Sequence, residues 1–144
     1  MNKIILTAIT VCIIGASVMA QAKETISGNG KTETRNVPVQ PFTEIKVSGI
    51  FELVLSQGIE SVKIEADENL QEYFTVKNEG PKLVVDMEKL KNKNLKSSGK
   101  MKVYLSFKNI SAMDLKTIGN VNSSEQLNFD ILKIKYLNKK SFNS

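Results

Sequence analysis

From Ile45 to Tyr136 the chain repeats one pattern: short runs with an apolar residue at every second position, broken by turn residues about every ten positions. Ile45 and Val47, then Phe51, Leu53 and Leu55, alternate on either side of Ser48-Gly49. Val62-Lys63-Ile64-Glu65-Ala66 and Phe74-Thr75-Val76-Lys77 do the same. Met101, Val103, Leu105 and Phe107 share one face of a further run, and Met113-Asp114-Leu115 and Leu132-Lys133-Ile134-Lys135-Tyr136 close the series. Leu83-Val84-Val85-Asp86-Met87 is apolar throughout until its acid. A period of two belongs to strands, because successive side chains of an extended backbone point to opposite faces. Gln57-Gly58, Glu79-Gly80-Pro81, Ser98-Gly99, Gly119-Asn120 and Asn138 supply the turns. The fold class is therefore all-β.

One stretch departs from alternation. In Asp67-Glu68-Asn69-Leu70-Gln71-Glu72-Tyr73-Phe74 the apolar Leu70 and Phe74 lie four apart behind an acid able to cap. One short helix is expected near residues 67–74, covering an end or side of the sheets.

The spacing of the strands narrows the architecture. Ile45 to Ile64, Leu83 to Val103 and Met113 to Leu132 all fall near 20 residues, with Leu115 superimposable on Ile134, Ile118 on Leu137 and Gly119 on Asn138. Such an interval suits a β-solenoid, whose coils must stack to bury their inner rows. A β-sandwich with short hairpins gives similar strand signals.

Residues 1–22 form a separate unit. Lys3 is its only charge, the run Ile4 to Val18 is apolar, and Ala20-Gln21-Ala22 is a small-x-small site. This is the pattern of a secretion signal, cut after Ala22 or, failing that, after Ala20. Thr7, Thr10, Gly15 and Ser17 interrupt the run, which falls short of the roughly 18 clearly apolar residues of a membrane span. No stable transmembrane span is expected after cleavage. Cys12, the only cysteine, lies inside this segment, and Ile9-Thr10-Val11 before it is a poor lipidation signal. A mature chain would have no thiol for disulfides or metal. Residues 23–36 are polar around Gly28-Asn29-Gly30 and read as a flexible lead-in, with a first strand near Thr32 to Val37. Residues 37–144 make up the β domain.

Composition excludes several function classes. Removing Lys3 leaves a formal charge of +4 from the +5 of the whole chain. Arg35 is the sole arginine, whereas duplex readers rely on arginine forks, so no nucleic-acid partner is expected. There is no histidine, which removes the commonest general base and metal ligand together. Glu65, Asp67, Glu68 and Glu72 cluster in sequence, but a strand-to-helix junction accounts for acids there. Asp86, Asp114 and Asp130 stand singly beside strands as outward, solvated positions. Gly28-Asn29-Gly30 lacks the Lys-Ser/Thr and the following helix of a phosphate loop. No catalytic residue, cofactor site or metal site is expected. The loudest surface feature is a lysine run, Lys89, Lys91, Lys93, Lys96, Lys100 and Lys102. It reads either as a solvated loop or as a weak surface-binding site that attracts an anionic envelope polymer or glycan. Polar Asn128, Asn138, Lys139, Lys140, Ser141, Asn143 and Ser144 read as a cap on the last exposed sheet end, and the oligomeric state is not specified.

Three motifs in order carry a family resemblance. Ile45-Lys46-Val47-Ser48-Gly49-Ile50-Phe51 leading to Gln57-Gly58 resembles an opening Val-Ser-Gly-x-Phe signature with its Gln-Gly turn. Ile64-Glu65-Ala66-Asp67-Glu68-Asn69-Leu70 resembles the next motif, and Leu115-Lys116-Thr117-Ile118-Gly119-Asn120-Val121 the repeat turn. Together they resemble the auto-transporter adhesin head GIN domain family (DUF2807), typical of Bacteroidetes, over about residues 28–137. The resemblance implies a right-handed single-stranded parallel β-helix without lyase catalytic residues, and a role in cell adhesion. The family's glycine-rich turns are reduced here to Ile118-Gly119-Asn120 and Leu137-Asn138-Lys139. The chain is expected to be a C-terminally shortened member.

The expectation is a non-enzymatic extracytoplasmic module for adhesion or for surface and glycan binding, found in the periplasm, at the cell surface or outside the cell. The alternatives are a carbohydrate-active lyase or hydrolase on the same scaffold, and a truncated remnant without stable function. N-terminal sequencing of the exported protein should begin at Lys23, or at Gln21 if the earlier site is used. A protein that still begins at Met1 would contradict the export signal.

Overall fold

Alternation becomes strand wherever its apolar face finds a partner. The computed structural model describes residues 22–96, 99–117, 119–129 and 133–136. Residues 1–21 of the expected signal lie outside the described residues. So do Ser97-Ser98, Ile118, Asp130, Leu132 and the C-terminal residues from 137 on.

Twelve strands run through the described residues: β1 (Thr25–Ser27), β2 (Thr32–Val37), β3 (Glu44–Gly49), β4 (Glu52–Gln57), β5 (Ser61–Asp67), β6 (Thr75–Glu79), β7 (Lys82–Asp86), β8 (Asn94–Lys96), β9 (Lys102–Phe107), β10 (Ala112–Thr117), β11 (Val121–Ser123) and β12 (Lys133–Tyr136). The expected helix is present as a 3₁₀ turn at Glu68–Tyr73, and a second such turn spans Glu88–Leu90. The Asp67 side chain does not cap the first turn. It is buried, and its Oδ2 accepts a hydrogen bond from the Gly30 N–H at 3.4 Å. Gln71 holds that turn in place: its Nε2 donates to the Glu33 carbonyl at 2.9 Å, while Arg35 donates to the Gln71 carbonyl at 3.2 Å.

The strands form two five-stranded sheets, ordered β12-β10-β3-β7-β6 and β11-β4-β9-β5-β2, plus the small pair β1-β8. Three stretches of chain, β3 to β4, β7 to β9 and β10 to β11, each leave one strand in the first sheet and another in the second. These strands pair in parallel, Ile45 beside Leu83 on one side and Met113 on the other, Leu53 beside Val103 and Val121. Their inward rows meet in one core. Ile45, Val47, Leu83 and Val85 from the first sheet pack with Leu53, Leu55, Val103 and Leu105 from the second, and all are buried.

The all-β class is as expected, but a single-stranded parallel β-helix is not what these residues form, because both sheets are mixed. β6 and β7 are antiparallel, joined by Gly80-Pro81 with Gly80 at φ +58°. So short a connection can only return the chain beside itself. β5 runs antiparallel to β9, and β2 antiparallel to β5. The expected repeat is corrected as well. Ile45 and Ile64 sit in different sheets, as do Leu83 and Val103, and Ile64 lies opposite Val103. β12 does pair in parallel with β10, but with Met113 opposite Ile134 and Leu115 opposite Tyr136, two residues from the expected register. A shift of two keeps every side chain on its expected face, so alternation could not detect it.

One glycine is demanded by stacking. A side chain at Gly119 would run into the Phe51 carbonyl, because the turn after β10 lies against the turn before β4. The Leu53 N–H donates to the Asn120 carbonyl there at 2.9 Å. In urea unfolding, Leu105→Ala should cost about 2–5 kcal/mol, as expected for a large-to-small change at a fully buried site. Ile59→Ala, at a position 81% exposed, should stay within roughly 0.5 kcal/mol of the parent.

Candidate functional site

The lysine run does not assemble into one patch. Lys89 Nζ donates to the Glu72 carbonyl at 2.8 Å. Lys93 Nζ lies 2.7 Å from Glu24 Oε2 and 5.9 Å from the centre of the Tyr73 ring. The hydrogen bond to Glu24 raises the Lys93 pKa above the ordinary lysine value against a smaller lowering from desolvation, so Lys93 stays charged. Lys102 begins β9 in register with Glu52 on one side and Glu65 on the other. Among the described residues, Lys91, Lys96 and Lys100 carry no ion pair.

Several of the acids are engaged elsewhere. Glu65 shares its cross-strand position with Lys102, and Glu68 Oε2 lies 3.1 Å from Lys31 Nζ. That hydrogen bond, more than the one to Glu33, holds the Lys31 pKa above its ordinary value. Asp86 is buried, contrary to the expectation of an outward, solvated position, and its Oδ1 accepts from the Glu88 N–H at 3.1 Å. It thereby fixes the start of the second 3₁₀ turn. Asp114 is half-buried, with Lys116 4.0 Å away. Asp130 lies outside the described residues. Among the described residues no three acids gather closely enough to hold a metal ion.

An open concave feature sits at the ends of strands β4, β9 and β11 of the second sheet, beside the start of β3. Gln57 ends β4, Asn109 and Ser111 lie between β9 and β10, Thr43 precedes β3, and Asn128 and Phe129 follow β11. They line an open cleft of about 750 Å³, with buried Ile110 at its base. Two sets of hydrogen bonds hold its walls. The Ser111 N–H donates to the Thr43 carbonyl at 2.8 Å, tying the two returning strands together. On the other wall the Gln57 carboxamide acts as a clamp: Nε2 donates to the carbonyls of Lys108 (3.0 Å) and Asn128 (3.1 Å), and Oε1 accepts from the Asn128 N–H (3.1 Å). The Gln57 N–H donates to Glu125 Oε1 at 2.9 Å. Phe129 stacks on Phe107, ring centres 5.9 Å apart, which anchors this wall to the core.

Both N–H donors of the Gln57 amide are therefore spent within the protein and its oxygen accepts one bond, whereas the side-chain amides of Asn109 and Asn128 form no hydrogen bond among the described residues. Sequence reading marks Gln57 and Asn128 only as turn and cap residues, and it passes over Thr43, Asn109 and Ser111. The Gln-Gly turn is the one signal that pointed here. Glycine explains a turn by itself, so a glutamine fixed beside it calls for a separate, structural reason. Gln57→Ala should lower stability by roughly 1–3 kcal/mol and speed amide exchange at Asn128, with the core strands unaffected. Unchanged exchange at Asn128 would mean that the clamp does not hold the wall.

No curated protein matches the chain. A family described as "Putative auto-transporter adhesin, head GIN domain" matches residues 41–143. Among solved structures, the chain is similar to a putative adhesin of Bacteroides fragilis (21% identity, TM-score 0.70, covering 76% of this chain and 51% of that one). It is similar also to a putative adhesin of Parabacteroides merdae (26% identity, TM-score 0.61, 77% and 46%). A third, a putative lipid binding protein of Parabacteroides distasonis, shares the fold at 22% identity and TM-score 0.55, with 69% and 43% covered. The chain spans about half the length of these structures.

Proposed function

Because the chain belongs to the auto-transporter adhesin head GIN domain family, we propose that it is a non-enzymatic extracytoplasmic module that attaches to surface polymers or glycans. One observation carries the reading. Glu68, Asp86 and Asp67 are held in an ion pair, a turn and the core respectively, and among the described residues no three acids gather to hold a metal ion, while an open cleft with free amides stands on a well-packed scaffold. Recognition needs such pre-formed groups and does not need a poised base. The putative adhesins of B. fragilis and P. merdae support the reading through the shared fold. The basic start, apolar run and small-x-small site of residues 1–22 support an address in the periplasm, at the surface or outside the cell. No helix among the described residues is long and apolar enough to cross a membrane.

A second recognition element follows from the lysines left without ion pairs. Lys91, Lys96 and Lys100 are the members of the run able to draw an anionic polymer. Their contribution should be salt-sensitive, since exposed charges are screened within about 10 Å at 0.1 M ionic strength.

The exported protein, immobilised on beads, should retain envelope or host glycans without releasing new reducing ends or unsaturated sugars from them. Retention nowhere on such a screen would contradict attachment, and release of cleavage products would favour the enzyme alternative. On an anionic glycan column, replacing Lys91, Lys96 and Lys100 by Gln should shorten retention. Unchanged retention would remove the anionic arm of the proposal.

A further inference from the structure

Among the described residues, the side chains that line the corner cleft offer many hydrogen-bonding groups and no charge. None of the side chains that line it is ionisable. Lys108, beside it in sequence, points its charge to Glu60 at 3.7 Å. An anionic ligand seated there would shed water with no lining cation to replace it, and the carboxylate at the wall, Glu125, already accepts the Gln57 N–H at 2.9 Å. A wholly apolar ligand would strip water from the Asn109 and Asn128 amides and return no hydrogen bond.

We propose that this cleft is a binding site for a neutral saccharide, with Asn109, Asn128 and Thr43 as the polar contacts and Phe129 as the apolar wall. This rests on the surface-recognition reading above and names its ligand class. The chemistry fits part by part. A carboxamide sets a donor and an acceptor side by side, which matches two neighbouring ring hydroxyls. Asn109 and Asn128 both have that pair unspent, and both are exposed. The Thr43 hydroxyl adds a group that both donates and accepts. Phe129 is half-buried and stacked on Phe107, so it presents apolar surface without freedom to turn away. A pyranose ring has a C–H face that such a surface shields from water.

Position supports the assignment. The Gln57 clamp and the Ser111-to-Thr43 hydrogen bond fix the two walls before any ligand arrives. Pre-set walls reduce the ordering cost of binding. The cleft volume, about 750 Å³, accommodates a short oligosaccharide, and its openness admits an internal segment of a longer chain as readily as an end.

The test uses the isotope-labelled exported protein titrated with cellotriose, maltotriose and mannotriose in turn, and separately with a sulfated disaccharide. At least one neutral trisaccharide should shift the side-chain amide resonances of Asn109 and Asn128. The double variant Asn109→Ala with Asn128→Ala should weaken that binding roughly tenfold or more at an unchanged melting temperature. Phe129→Leu, which keeps apolar contact with Phe107, should weaken it as well. Neutral sugars that leave both amides unshifted, or a double variant that binds like the parent, would overturn the assignment. If only the sulfated sugar binds, through Lys91, Lys96 and Lys100, the cleft inference falls and surface recognition stands. If nothing binds, both fall.

Discussion

The burial of two facing apolar rows in one shared core is the interaction on which the whole structure depends. Ile45, Val47, Leu83 and Val85 on one sheet are buried in one cluster with Leu53, Leu55, Val103 and Leu105 on the other. Neither sheet could leave such a row in water, and the absence of any cysteine among the described residues means no covalent cross-link shares the task. Everything outside the core is placed by it. The outward positions of β9, Lys102 and Tyr104, follow from the inward positions of Val103 and Leu105. Lys63 then lies over the Tyr104 ring at 4.4 Å because β5 is in register beside them.

The cleft is a consequence of the same arrangement. Two sheets that share a core must be joined at their margins, and the joining segments carry backbone groups that no sheet ladder satisfies. Gln57 and the Ser111 N–H answer that need by bonding to carbonyls of neighbouring segments. The concavity between these fastened segments is thus rigid for structural reasons, and its unspent amides are available for a ligand. Core and site are one construction: Phe129 reaches from the cleft wall to Phe107, which is fully buried.

The lysine run illustrates how charge in sequence differs from charge in space. Six lysines between Lys89 and Lys102 look like a single basic surface, yet the chain passes through a 3₁₀ turn and two strands in that interval. Each element turns its lysines toward different neighbours. Lys93 pairs with Glu24 from the N-terminal segment, and Lys102 stands in backbone register with Glu52 and Glu65 of adjacent strands. Those acids are far away in sequence, so the pairing was invisible there.

Sequence alone determined the properties that depend on nearest neighbours. Period-two alternation assigned Val103, Leu105 and Phe107 to the core face, and Glu79-Gly80-Pro81 marked a turn, but not the antiparallel pairing of β6 and β7 across it. Leu70 and Phe74 marked a break in the alternation near residues 67–74, but the helix expected there is a 3₁₀ turn at Glu68–Tyr73 without an Asp67 cap. Strand order was decided only by the tertiary structure. β3 lies between β7 and β10, and β9 enters between β4 and β5 even though the short Gly58-to-Glu60 link joins those two. Alternation is identical for every register that differs by two and for every choice of neighbour with an apolar face. Long-range packing therefore chose among arrangements that local pattern could not tell apart, and with them it chose which residues face one another across the cleft.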